Sequence, residues 1–170
     1  MSTRLEQQAM RDWVVAKEHD TFCTLKFRNG YDIDEQQAER IVQVFLQQVD
    51  RVYWGNLVHS QNVRCPRFVF KQRGISRQNT HFHIVMQSEG DMYTFLQILR
   101  KTWARFTESC STTSRFEKAR DTTATGTYCI HEWAYLGSDT FCANLSHTDK
   151  YYQKSFKPTI HRTRRLLTAI

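Results

Sequence analysis

Two histidines separated by one apolar residue, His81-Phe82-His83, lie inside the β-rich run Thr80-His81-Phe82-His83-Ile84-Val85-Met86-Gln87. Successive side chains of a strand point to opposite faces, so His81 and His83 share one face while Phe82, Ile84 and Met86 share the other. One face packs and the other is free for chemistry. Two imidazoles on neighbouring pleats project in parallel, close enough to ligate one divalent metal through their ring nitrogens. The competing reading is a pair of ordinary surface histidines, since His-x-His alone is a short motif. A second cluster, Tyr128-Cys129-Ile130-His131-Glu132, falls in a segment expected to be helical, where positions three apart share a face. Tyr128 beside His131 points to a phenolate nucleophile, because a phenol is protonated near neutral pH and needs a metal or a positive group to ionise or be positioned. The alternative for Tyr128 is a buried aromatic with a hydrogen-bonded hydroxyl.

These side chains need elements to position them. Leu5, Ala9, Trp13 and Ala16 recur at helical spacing, so 4–17 reads as an amphipathic helix with Trp13 in the core. Residues 21–27 alternate as a strand with Cys23, Leu25 and Phe27 on one face, ended by the turn residues Arg28-Asn29-Gly30. Asp34 is an N-cap for a helix over 35–53, carried by Ala38, Ile41, Phe45, Val49 and Val52. A polar connection through Trp54-Gly55-Asn56 leads to a strand over 67–71, preceded by Pro66, and the loop 74–79 joins it to the histidine strand as an antiparallel hairpin. Met92, Phe95, Leu96, Leu99, Trp103 and Phe106 form the cleanest helical stripe, over 91–107. A short strand at 115–118 is expected beside the histidine strand. A helix capped in Asp121-Thr122-Thr123 should then carry Tyr128 as far as Gly137, followed by a weak last strand at 140–145 and a tail that is helical near 163–169 or mobile. This mixture of hairpin and helices predicts an α+β fold with a mainly antiparallel sheet flanked by helices, its middle ferredoxin-like.

The chain has 170 residues, enough for one domain with a sizeable core. The domain is expected over 1–149 and a basic tail over 150–170. Lys+Arg number 24 against 17 Asp+Glu, a formal charge of +7 that favours an anionic partner such as nucleic acid. Lys150, Lys154, Lys157, Arg162, Arg164 and Arg165 place most of that excess in a terminal stretch with no acid. Arg73 and Arg77 add charge to the loop before the histidines. The five cysteines form no Cys-x-x-Cys pair, and their odd number argues against a disulfide framework or a structural zinc site. With no secretory signal pattern and no apolar run near the about 18 residues that span a bilayer, the expectation is a cytoplasmic protein with no membrane partner.

In its motifs the chain resembles the HUH endonuclease superfamily, specifically the single-tyrosine rolling-circle replication initiators of plasmids and of single-stranded DNA phages and viruses. Phe22-Cys23-Thr24-Leu25-Lys26-Phe27 looks like that family's first-strand motif, His81-Phe82-His83 is the His-hydrophobe-His motif, and Tyr128-Cys129-Ile130-His131 is similar to its Tyr-x-x-Lys motif. The resemblance implies a Mg2+- or Mn2+-dependent strand transferase. Tyr128 would attack a phosphodiester of single-stranded DNA at a replication origin, leaving a 5′-phosphotyrosine and a free 3′-hydroxyl, with a host polymerase and a separate helicase as partners. It implies His81 and His83 as metal ligands. The third ligand of the family comes from the preceding strand, where this chain offers no acid and Gln72 is the best-placed oxygen donor, ahead of Glu132 and His59. His131 replaces the usual lysine, so the positive group beside the nucleophile is titratable near neutral pH.

Other readings stay open. A ferredoxin-like sheet with a basic tail could bind a single strand without catalysis. His161-Arg162-Thr163 matches one half of a paired His-x-Thr phosphodiesterase motif, but its other half is missing. A plasmid mobilisation relaxase is chemically close, and Tyr135, seven residues beyond Tyr128, leaves room for a two-tyrosine mechanism.

Overall fold

The computed structural model describes residues 4–148 except 18, 89 and 107. The basic residues from Lys150 to Arg165 and the helix expected near 163–169 therefore lie outside the described residues. Helix α1 (Arg4–Val15) precedes strand β1 (Thr21–Lys26), helix α2 (Glu35–Trp54) and a short α3 (Leu57–Ser60). The hairpin β2 (Arg67–Gln72) and β3 (His81–Met86) follows, then α4 (Met92–Ala104), β4 (Arg115–Lys118), α5 (Thr122–Cys129) and α6 (Trp133–Leu136). The four strands form one sheet in the order β2-β3-β1-β4, and every neighbouring pair is antiparallel. From β1 to β4 this is the split β-α-β-β-α-β arrangement of ferredoxin-like folds, as the sequence predicts for α+β.

Local chemistry sets the two long helices. The Asp34 carboxylate accepts the Gln37 N–H at 3.0 Å and starts α2, and Gly55, at φ 55°, ends it where a side chain would be strained. Asp91 accepts the Thr94 N–H at 2.8 Å and starts α4 in the same way. Ala38, Val42, Phe45, Leu46 and Val49 of α2 and Phe95, Leu96, Ile98, Leu99 and Trp103 of α4 bury one face each against Cys23, Leu25, Val69, Phe82, Ile84 and Met86. That is the main core.

The opposite face of the sheet is also covered, which the sequence reading did not anticipate. Val14 of α1, Cys129 at the end of α5, Ile130 after it and Trp133 at the start of α6 pack on Phe22, Phe68, Phe70 and Val85. Helices α1 and α5 approach closely at Gly126, where a Cβ would stand 3.1 Å from Val15 Cγ2. His83 is consequently buried, not solvated. Trp13, expected in the core, is 38% exposed on the outside of this thinner layer, its ring edge-on to Phe68 at 4.6 Å.

Four other expectations are corrected. The helix carrying Tyr128 does not run on to Gly137: α5 stops at Cys129 and α6 begins at Trp133. The break turns Glu132 inward, where its carboxylate accepts the N–H groups of Arg73 (2.7 Å) and Gly74 (2.8 Å) and ties this corner to the β2–β3 loop. Gly137 does end α6, at φ 60°. Residues 140–145 are not a strand, because the chain folds back on itself through Ser146 N–H to Cys142 O and pairs with β2 by isolated bridges at Phe141 and His147 and not by a continuous ladder. β4 lies beside β1, not beside the histidine strand, since β1 and β2 already fill both edges of β3. The polar connection after α2 contains α3.

Candidate active site

Antiparallel register assembles the site in rows. Gln72, His81 and Lys26 stand side by side across β2, β3 and β1, and the next row is Phe70, His83 and Thr24. Partnered residues share a face, so both histidines, Gln72, Thr24 and Lys26 project to the side covered by α1, α5 and α6. The main core on the other face holds this register, because a shift by one residue would turn the histidines into it.

A neighbouring carbonyl fixes which His81 nitrogen is available. His81 Nδ1 lies 2.8 Å from the Asn79 carbonyl, which only accepts, so Nδ1 donates and Nε2 keeps the lone pair in the neutral ring. His83 Nδ1 contacts Thr24 Oγ1 at 3.1 Å, while its Nε2 is buried with no hydrogen-bond partner. Desolvation pushes the His83 imidazole well below its ordinary pKa, and pushes His81 down as well, with Lys26 adding to the shift. Both rings are held in the neutral form that binds metals.

Gln72 is fully buried, and its amide nitrogen donates to the Cys129 carbonyl at 2.8 Å. That bond orients the amide and leaves Oε1, like His83 Nε2, buried without a partner. An unpaired buried acceptor costs about 1–3 kcal/mol; Gln72 Oε1 is one, and His83 Nε2, on the adjoining row of the face that also carries His81, is a second in the tautomer whose Nδ1 donates to Thr24 Oγ1. A divalent cation ligated by Gln72 Oε1 and the two imidazoles would satisfy both. The donor set of one oxygen and two nitrogens fits manganese better than magnesium. Among the described residues there is no group of three or more His, Cys, Asp or Glu side chains able to hold a metal; the oxygen donor in the row of His81 is the Gln72 amide. Glu132 is committed to backbone N–H groups, and His59 sits on α3, which packs on α2 behind the other face.

Tyr128 closes the site. Its ring centroid is 4.8 Å from that of His83, and it stacks on His131 at 5.1 Å with 25° between the planes. The last turn of α5 thus keeps Tyr128 and His131 together although the helix ends between them. His131 Nδ1 lies 2.6 Å from the Tyr128 carbonyl, which only accepts, so Nδ1 donates to it; Nε2 stands 3.6 Å from Glu132 Oε1, an ion pair when the ring is protonated. Tyr128 is 53% exposed, so it is not the buried aromatic of the packing alternative. A phenol reachable from solvent and wedged against two imidazoles is suited to attack an electrophile.

Lys26 and Thr24 were legible only as parts of a strand motif. Their place beside His81 and His83 follows from the register, and two-residue periodicity along β1 was the available signal. Arg73 is held in an ion pair with Glu35 at 2.6 Å, which uses its charge. Arg77, at φ 59°, places its guanidinium 5.0 Å from the centroid of the Tyr135 ring. Tyr135 therefore stands beside Arg77 on α6, separated from Tyr128 by the helix break. No described helix is long and apolar enough to cross a membrane. Comparison of the chain with family models, with curated proteins and with solved structures finds no match.

Proposed function

We propose that this protein is an HUH-type, metal-dependent endonuclease and strand transferase acting on single-stranded DNA, of the kind that initiates rolling-circle replication. The observation that carries the reading is the solvent-reachable Tyr128 ring seated 4.8 Å from His83, next to the unpartnered Gln72 Oε1 and His83 Nε2. Tyr128 Oη gives up its proton and forms a bond to the scissile phosphorus, the bond to the 3′-oxygen breaks, and that oxygen takes up a proton to leave as a hydroxyl, so no proton is gained or lost overall. The transferred phosphate, still bonded to the 5′-oxygen of the downstream strand, stays on the protein as a 5′-phosphotyrosine, and the reverse step rejoins the strand. His81, His83 and Gln72 would hold a Mg2+ or Mn2+ ion, which when bound supplies charge stabilisation at a non-bridging phosphate oxygen. His131 positions the nucleophile by ring contact and, when protonated, adds positive charge beside the phosphate. Lys26, in the row of His81, supplies a permanent one. An origin sequence, a host helicase and a host polymerase belong to this proposal as partners.

The deciding experiment incubates the protein with labelled single-stranded oligonucleotides from its own replicon and manganese, and looks for a denaturation-resistant protein–DNA band. Metal-independent binding without such a band would leave a single-strand-binding module instead.

The metal ligands can be tested apart from activity. Manganese titrated calorimetrically into the wild-type protein should bind at one site, and His81→Ala, His83→Ala or Gln72→Ala should each weaken it. The glutamine variant should lose least, since a neutral amide is the weakest of the three ligands. Equal affinity in all four proteins would remove the metal from the reading.

The basic tail is expected to act on affinity without reading sequence. Removing 150–170 deletes six Lys/Arg, so both the DNA affinity and the slope of its logarithm against log salt should fall. An unchanged slope in the folded truncation would mean that the tail makes no phosphate contacts.

A further inference from the structure

Beyond the reacting pair, the loop between β2 and β3 and the start of α6 enclose a cavity of about 470 Å³ that opens directly beside His131. Its walls include Ile75, Arg77, Tyr135 and Leu136. Three features of this wall bear on what it could hold. Ile75 is fully exposed at the loop tip, and Tyr135 is 71% exposed, so two large apolar groups face solvent within a few residues of the site. Arg77 adopts the left-handed backbone conformation at φ 59°, uncommon for a residue with a long side chain. In that conformation its guanidinium lies 5.0 Å from the Tyr135 ring centroid, and among the described residues it has no carboxylate partner. Glu132, the one acid in the wall, has both oxygens occupied by the N–H groups of Arg73 and Gly74, which blunts its repulsion of an anion.

We infer that this cavity is a nucleotide subsite: one unpaired base of the strand stacks on Tyr135 against Ile75 and Leu136, and Arg77 contacts the phosphate attached to it. The assignment rests on the single-stranded DNA reading of the neighbouring site and names which residues hold the nucleotide adjoining the scissile phosphate. The chemistry fits. The cavity has the size of small-molecule sites, an aromatic face accepts any base by stacking, and a guanidinium free of acidic partners pairs with phosphate. The base lies next to His131, so holding it also fixes the phosphate that Tyr128 must reach. Tyr135 thus has a positioning role, not a chemical one.

The test measures binding of fluorescein-labelled (dT)12 to the full chain in EDTA, where no strand transfer takes place. Tyr135→Ala should weaken binding about 5- to 100-fold, the range that loss of one stacked base corresponds to. Tyr135→Phe should bind as the wild type does, and Arg77→Ala should weaken binding and lower its salt dependence. A single abasic residue walked along the oligonucleotide should locate one position at which wild type and Tyr135→Ala become equal. Thermal melting shows that the variants at this exposed position are folded. Wild-type binding that Tyr135→Ala leaves unchanged overturns the subsite while leaving the nuclease reading intact. Equal loss in Tyr135→Phe and Tyr135→Ala also overturns it, because the hydroxyl and not the ring would then matter. Absence of any wild-type binding to (dT)12 overturns both.

Discussion

Tyr128→Phe is expected to abolish the covalent protein–DNA adduct while leaving the fold, metal binding and DNA binding in place. The substitution removes one oxygen from a half-exposed ring and keeps the aromatic contacts with His83, His131 and Phe22, so nothing in the packing should change. Without Oη no bond to phosphorus can form, and water placed by chance in the same position leaves no protein attached. The expected effect is therefore total loss of the adduct, not a fractional change in rate. Tyr135→Phe should still form it, because Tyr135 sits on a separate helix with its ring against the guanidinium of Arg77 from the β2–β3 loop. Peptide mapping of a trapped wild-type adduct decides the point. DNA attached to Tyr135, or to a tyrosine of the tail, would show that Tyr128 is not the nucleophile.

The largest stability effect should come from the opposite end of β2. Asp50, fully buried near the end of α2, accepts from Arg67 Nη1 through both oxygens at 2.8 and 3.0 Å and from the Cys65 N–H at 2.9 Å. Arg67 also donates through Nε to the Leu145 carbonyl at 2.9 Å, so one ion pair joins α2, the start of β2 and the chain beyond α6. Asp50→Ala leaves a guanidinium buried without its counter-charge and a backbone N–H without an acceptor. Breaking such a pair costs about 3–5 kcal/mol, and for a domain of this size that lowers Tm by roughly 6–20 °C. Replacing both partners, as in Asp50→Leu/Arg67→Met, should recover much of the loss, because the charge that remains, Arg64 at 3.6 Å from Asp50, is partly exposed to solvent. Urea unfolding of the single and double variants measures it. A single-variant loss below about 1 kcal/mol would mean that water reaches the pair. The site lies at the far end of the strand, so whatever folded Asp50→Ala protein exists should keep its metal affinity.

The register of this sheet explains why the site was only partly readable in one dimension. His81 and His83 could be placed on a common face from strand alternation, and Tyr128 could be paired with His131 from helical spacing, because both rules act within a single element. The capped helices at Asp34 and Asp91, the hairpin and the turn at Gly137 were readable for the same reason: each depends on residues no more than a few positions apart. What covers the histidine face did not follow from any local pattern. Val14, Ile130 and Trp133 come from the two ends of the described chain and meet only because β3 is central, with β1 and β2 on its two edges. Their arrival buries His83 and Gln72 and turns an ordinary polar glutamine into an oriented amide with an unpartnered oxygen. The broken helix is a second instance. Nothing near residues 130–132 signals a stop, since it is Glu132 capturing two N–H groups of a loop some 58 residues away that compensates the lost helical turn. Lys26 enters the site, and residues 140–145 fail to become a strand, on the same grounds. Local pattern shows which residues could do chemistry and places the two histidines on one strand and Tyr128 on a helix. Tertiary structure decided which of them meet, which lose water and which are left as unpaired acceptors, because those depend on contacts between residues far apart in the chain.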